Sequence, residues 1–292
     1  MGELYIASYQ AATPAYLKRV RWSPEDEIGF AYADAVRRSD WPYDAGDDPS
    51  FFSMRFTGGA LTWGICRPDL RNKLKPGDTV IFFAFKFRPG GLDYYFCGYN
   101  TVSRLVRQSD VWEHDGLSCY RQYLNLLISR QGTSYQWHEP HRVGAPKSAL
   151  HRDWLWRIAK REGFCRKDFD AVDGLDLFEP QRTCLGQGRR RLKLAPNYVL
   201  FGRERPDNFT LETPYLVARY EGSPAAMETW RDNDERAEAI RSMTVCLSDR
   251  GHLRTRNRQR PNRHIRLKAN AREWRAEAYS ALMNMGFPPI EA

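Results

Sequence analysis

The sequence predicts an α+β fold: a sheet domain over residues 1–221, elaborated by helices, then a basic helical C-terminal extension over residues 222–292. Three observations lead there. A hairpin pattern lies between Lys75 and Val102, helix-period stretches separate the other strand-like runs, and beyond about Gly222 helices flank a strongly cationic stretch.

The hairpin is the clearest element. Lys75-Pro76-Gly77-Asp78 places a turn directly before the apolar run Val80 to Phe87, a Pro-Gly-Gly turn follows, and a second aromatic run extends from Asp93 to Val102. Pro76 presets φ for a turn, Gly77 accepts positive φ, and Asp78 can bond nearby backbone as the strand begins. Before the hairpin, LYIASYQ reads as a strand, and Ser23-Pro24-Glu25-Asp26-Glu27 reads as a helix start, with Ser23 as N-cap and the helix running to about Arg38. Residues 39–59 carry Pro, Gly and Asp among aromatics and read as a loop. Its Trp41, Tyr43, Phe51, Phe52 and Phe56 either fold back over the sheet or line a stacking pocket.

After the hairpin, Leu117, Tyr120, Leu124 and Leu127 have helical spacing and predict a helix over 116–130; another is expected over 153–162. Strands are expected within 189–201 and over 211–220, and helices over 224–243 and 269–285, with extended chain over 250–268 between them.

Composition narrows the function. Of the 292 residues 42% are hydrophobic and 13% aromatic, which suits a packed core, and the formal net charge of +9 favours a polyanionic partner, nucleic acid first and acidic membrane surfaces second. The N-terminus lacks a basic stretch followed by an apolar one, and no apolar run approaches the roughly 18 residues that a membrane span needs. The expectation is a soluble, cytoplasmic protein that does not engage membranes. Six widely spread cysteines without a CxxC pair read as reduced thiols rather than a zinc site.

The order Trp63-Gly64, a short basic segment with Leu70 and Leu74, the Pro-Gly-Asp turn, a β-branched and aromatic strand, and a strand passing through Gly98 to Thr101-Val102 resembles the central part of PUA-like domains, nearest the EVE and YTH branch. Cys66-Arg67-Pro68, Arg71 and Gly77-Asp78 also resemble a Cys-Lys-Pro, Arg and Gly-Asp series in nucleotide-modification-associated domains of phage and bacterial DNA-modification systems. The resemblance implies a small mixed β-barrel in which Gly-Asp opens a strand and a pocket holds a modified or flipped base. It implies base contacts for Trp63 and Asp78 with Trp41 or Tyr94 as stacking partner, and phosphate contacts for Arg67 and Arg71.

Two basic clusters point the same way. Residues 250–268 hold eight Lys or Arg and no acid; in extended chain Arg254, Arg256, Arg258 and Arg260 would form one row spaced about 6.6–6.8 Å apart, able to follow a phosphate backbone or to serve as a solvated, charge-protected edge. Gly186-Gln187-Gly188 followed by Arg189, Arg190 and Arg191 could present backbone N–H groups and guanidiniums to one anion, but it is not a P-loop.

Catalytic signals are weak. His138-Glu139-Pro140-His141 has the wrong spacing for a zincin and a helix-breaking proline; the acid clusters Asp44-Asp47-Asp48 and Asp168 to Asp176 read as solvated or capping groups. No metal or cofactor is expected, and no catalytic residue is assigned. The leading expectation is a nucleic-acid-binding protein, for DNA before RNA, recognising a modified or flipped base. The alternatives are a DNA-base-modifying enzyme using the same pocket, with Asp78, Asp47 or Asp48 as its acids, and a scaffold subunit contacting a protein of a modification or defence system.

Overall fold

The computed structural model describes residues 2–10, 27–38, 48–64, 68–71, 73–108, 110–126, 128–131, 134–137, 160, 166, 181–182, 189–190, 198–221, 228–231, 233–253 and 264–290. Among these, one mixed sheet organises the chain. Its strands run in the order β11 (Glu228–Trp230), β10 (Phe209–Glu221), β4 (Gly91–Val106), β3 (Thr79–Arg88), β1 (Leu4–Gln10) and β12 (His264–Leu267). β1 and β3 are parallel and the other pairs antiparallel; the distal end of β4 also pairs with β9 (Tyr198–Phe201), which pairs with β2 (Thr62–Trp63). The small pairs β5 (Ile128–Gln131) with β6 (Ser134–Trp137), and β7 (Gln181–Arg182) with β8 (Arg189–Arg190), stand apart from it.

The β3–β4 hairpin forms where the sequence places it, with Arg88 opposite Gly91. From Thr79 to Phe85 every residue of β3 is buried. Successive side chains of a strand point to opposite faces, so both faces must be covered. On one face Val80, Phe82 and Ala84 pack with Tyr5, Ala7 and Tyr9 beneath α1 (Glu27–Arg37), α2 (Phe51–Thr57) and the β2–β9 pair. Phe82 is its hub, with ring centroids 5.6 Å from Phe51, 5.5 Å from Trp63 and 5.7 Å from Phe201. On the other face Ile81, Phe83, Phe85, Tyr94 and Phe96 pack beneath α5 (Glu235–Met243) and α6 (Ala271–Asn284).

The expected small closed barrel is not what forms. β11 and β12 end the sheet on opposite sides without pairing to each other, so it stays open, although β4 shifts register near Val102 and carries β9 and β2 over one face. A second register shift at Phe82/Phe83 gives β4 an extra residue beside Gly98, whose φ is 121°. A Cβ there would lie 2.0 Å from the Phe209 carbonyl oxygen, so the position requires glycine.

Residues beyond 222 are built into this frame. β12 pairs with β1, β11 with β10, and Trp274 of α6 lies in the second core. Three further expectations change. The loop over 39–59 contains α2, whose Phe51, Phe52 and Met54 are buried against the sheet. The helix expected over 116–130 is a 3-10 turn, Asp115–Tyr120, followed by turns and β5, because consecutive Tyr123, Leu124, Asn125 and Leu126 are all buried and one helical stripe cannot bury four neighbours. The helix expected over 224–243 begins only at Glu235, where Asp234 caps it by accepting from the Ala237 N–H. Short α3 (Pro68–Arg71) and α4 (Asp110–Glu113) complete the elements.

Two carboxylates tie the sheet together. Asp78 Oδ1 accepts from the Glu3 N–H at 2.7 Å and its Oδ2 from the Lys75 N–H at 2.9 Å, which fixes β1 beside the turn that opens β3. Asp93 Oδ1 accepts from Arg88 Nε at 2.9 Å and Arg219 Nε at 2.8 Å, linking β3, β4 and β10.

Asp78→Ala should therefore cost about 2–3 kcal/mol, two backbone donors losing a charged acceptor, and urea denaturation would read it. For Asp93, burial pushes its carboxyl up, but the hydrogen bonds and charges of Arg219 and Arg88 together outweigh it and hold the carboxyl below its ordinary value; Asp234 is likewise held low, burial being outweighed by the Tyr215 hydroxyl and backbone N–H groups. The folded-state value lies below the unfolded one, so this stability is present above about pH 4 and lost as pH falls through the folded value. Melting temperature should fall from about pH 5 to about pH 2, and Asp93→Asn should start lower yet fall less over that range.

Candidate nucleic-acid interface

A small cleft lies where three segments meet: Gly58 to Leu61 between α2 and β2, Gly202 to Asn208 between β9 and β10, and Pro289-Ile290 near the C-terminus. Each wall is held by buried polar groups rather than by regular secondary structure.

The first wall is fixed from behind. Ser50 and Thr62 clamp the ends of the α2 loop: Ser50 N–H donates to the Thr62 carbonyl at 3.0 Å, and Thr62 N–H to Ser50 Oγ at 2.8 Å. Thr62 Oγ1, Tyr198 Oη and Asn125 Oδ1 form a triangle with sides of 2.9, 2.8 and 3.0 Å. Asn125 Nδ2 donates to Asp48 Oδ1 at 3.1 Å, and the Gly64 N–H reaches the same oxygen at 2.8 Å. The Tyr123 hydroxyl donates to the Ala60 carbonyl at 3.0 Å. Burial above all, with Tyr123 and Asp48 nearby, keeps the Tyr198 phenol well above its ordinary pKa against the hydrogen bond to Thr62, so it remains a proton donor.

The second wall is nailed to β4. Thr101 N–H donates to Asn208 Oδ1 at 2.9 Å, Thr101 Oγ1 donates to the Asp207 carbonyl at 2.7 Å, and Gly202 N–H donates to the Thr101 carbonyl at 2.8 Å. Arg275 of α6 reaches in with Nε 2.7 Å from Asp207 Oδ1 and Nη1 2.9 Å from Thr79 Oγ1. The third wall follows because Ile290 N–H donates to the Thr210 carbonyl at 2.7 Å.

Inside, Asn100, Asn208 and Thr210 face an apolar floor of Met54, Leu61 and Ile290, while Arg203 and Arg205 stand exposed at the rim. Among the described residues no Asp or Glu lines the cleft. Of the neighbouring acids, Asp207 pairs with Arg275 and Glu212 with Arg55, while Glu204, between Arg203 and Arg205 in sequence, is exposed and forms no ion pair among the described residues. Among the described residues Arg104, Arg203 and Arg205 form no ion pair. Arg104 and Arg203 occupy one neighbourhood, since both act on the Tyr120 hydroxyl, whose pKa burial and Cys119 raise and the two guanidiniums lower.

The residues expected from sequence lie elsewhere. Trp63 and Tyr94 are 1% and 0% exposed, packed in opposite cores, so neither offers a ring face for stacking. The Trp63 indole N–H finds no acceptor. Asp78 spends both carboxylate oxygens on backbone, and Arg71 is 1% exposed with its interactions inside the protein, so neither serves as a surface contact. Arg189 and Arg190 fall in β8, of which only the backbone is described. Trp41, Arg67, Arg191, Arg254, Arg256, Arg258, Arg260 and the His138-to-His141 motif lie outside the described residues. Sequence reasoning passed over Asn100, Asn208, Arg203 and Arg205; the segment Arg203-Glu204-Arg205-Pro206-Asp207-Asn208 alternates charge and looks like an ordinary polar turn.

Among the described residues no group of three His, Cys, Asp or Glu side chains could hold a metal ion, and no helix is long and apolar enough to cross a membrane. Comparison with protein-family models, with curated proteins and with solved structures found no match.

Asn125→Ala should cost about 3 kcal/mol in chemical denaturation, since it strips partners from buried Asp48, Tyr198 and Thr62 together. Tyr123→Phe should cost about 1 kcal/mol.

Proposed function

We propose that the protein binds nucleic acid, DNA being the first substrate to test, and that the surface around this cleft makes phosphate contacts. The observation that carries the reading is a pair of exposed guanidiniums, Arg203 and Arg205, over a cleft whose described lining residues include no Asp or Glu, in a chain whose formal net charge is +9. Guanidiniums paired with carboxylates mostly neutralise themselves; unpaired ones can replace condensed counterions on a phosphate backbone, the source of sequence-independent affinity. Arg104 extends the same positive neighbourhood.

Kinship with PUA-like domains is part of this proposal. A strand opened by Gly77-Asp78 and running into an antiparallel partner is what that kinship would require, whereas the open sheet departs from a closed barrel. Recognition of a modified or flipped base would need an aromatic slot other than Trp63 and Tyr94, because both are core residues.

Affinity for a DNA oligonucleotide should fall steeply as salt rises, and Arg203→Ala and Arg205→Ala should each reduce the slope of log affinity against log salt by about 1. Fluorescence anisotropy across a salt series measures both. Absence of binding at low ionic strength, or affinity indifferent to salt, would refute the proposal.

A further inference from the structure

The cleft is too small for a base, and its chemistry specifies something else. Its interior offers about 40 Å³ of free space. At roughly 10–15 Å³ per water in this measure, that is room for about three water-sized atoms. A nucleobase needs several times more.

The side chains of Asn100, Asn208 and Thr210 bring hydrogen-bond donors to this space. Asn100 donates one amide hydrogen to Thr210 Oγ1, and Asn208 donates one to the Glu204 carbonyl, so each carboxamide retains a second hydrogen that no acceptor among the described residues takes. Thr210 Oγ1 accepts from Asn100, which leaves its own hydroxyl hydrogen uncommitted. All three side chains are over nine-tenths buried, at 3%, 8% and 7% exposure. Above them stand Arg203 and Arg205, the latter with Nη2 3.5 Å from the Ile290 carbonyl. Two guanidiniums, two amide hydrogens and a hydroxyl hydrogen, with no carboxylate among the described lining residues, ask for a small, multiply charged oxyanion.

We infer that the cleft takes a phosphate monoester, presented by the end of a nucleic-acid strand. The inference rests on the nucleic-acid reading above. A terminal phosphate has three non-bridging oxygens and one ester link, so it can enter end-on with its sugar outside, and near neutral pH it carries about −1.5 to −2 charges. An internal diester carries a single charge and must leave in two directions, which the three walls obstruct.

The test uses the full chain and three otherwise identical single-stranded oligonucleotides with a 5′-phosphate, a 3′-phosphate or hydroxyl ends, followed by anisotropy. One phosphorylated end should bind about tenfold more tightly than the hydroxyl form. Millimolar inorganic phosphate should erase that advantage without abolishing the remaining binding. Arg203→Gln with Arg205→Gln, both at exposed positions, should remove it, and so should Asn100→Asp, which puts a carboxylate into the cleft while leaving the rim intact; thermal melting checks that each variant is folded. Equal affinity for all three oligonucleotides overturns the inference while leaving general nucleic-acid binding in place. Failure of every oligonucleotide to bind overturns both. A nucleoside monophosphate that binds as tightly as the phosphorylated strand would overturn the strand-end assignment and give the cleft to free nucleotides.

Discussion

Burial of β3 on both faces is the constraint from which the rest of the fold follows. Seven consecutive apolar or small side chains of this strand, Thr79 to Phe85, are covered, and a sheet residue can be covered only by a layer stacked on its own side. One layer comes from early in the chain, through α1 and α2, with β2 and β9 folded over by the bent distal end of β4. The other comes from the last third, through α5 and α6. Without residues beyond 222, Ile81, Phe83, Phe85, Tyr94 and Phe96 would face water. Each such side chain stabilises the fold by about 1.5–3 kcal/mol when fully buried, so the C-terminal segment is part of the core rather than an appendage to it.

The same double layering explains why the cleft walls are irregular yet fixed. A loop crossing the edge of a layered sheet brings backbone groups that have no ladder to join, and these must find side-chain partners. Asn125, Tyr198, Ser50 and Thr62 supply them on one side; Thr101, Asn208 and Asp207, braced by Arg275 from α6, supply them on the other. Both terminal layers therefore bear on the cleft, since α6 reaches the loop that carries Arg203 and Arg205, and the chain returns after α6 to place Ile290 against Thr210.

How much of this the sequence reveals depends on whether a signal is local. The hairpin, β1, β10 and α6 were legible because turn chemistry and apolar runs lie within a few residues of each other. Closure of the sheet was not, because pairing between its outermost strands is a long-range matter that no short motif encodes. The aromatics of the hairpin illustrate the limit. Trp63 and Tyr94 have the composition of a stacking site and the positions of core residues, and only the second packed layer distinguishes the two. Asp78 was legible as a turn residue, and that role consumes it. The cleft residues were hidden for a related reason: Asn100 sits inside an aromatic strand, Asn208 ends a turn, and their proximity is created by the β4–β10 register.

Electrostatics gives the last step. Nine surplus positive charges do not by themselves locate a binding surface, because most arginines of the described structure are engaged: Arg88 and Arg219 with Asp93, Arg275 with Asp207, Arg55 with Glu212, Arg266 with Glu3 and Arg231 with Asp234. These pairs hold strands and loops together and present little net field. Arg104, Arg203 and Arg205 form no such pair among the described residues, and no described Asp or Glu lines the cleft beneath Arg203 and Arg205. A guanidinium in that position is attracted to any anion the solvent brings, and in that cleft Asn100, Asn208 and Thr210 add hydrogen-bond donors. The arrangement is held by the same contacts that close the fold, so the positive site comes with the structure and needs no rearrangement to form.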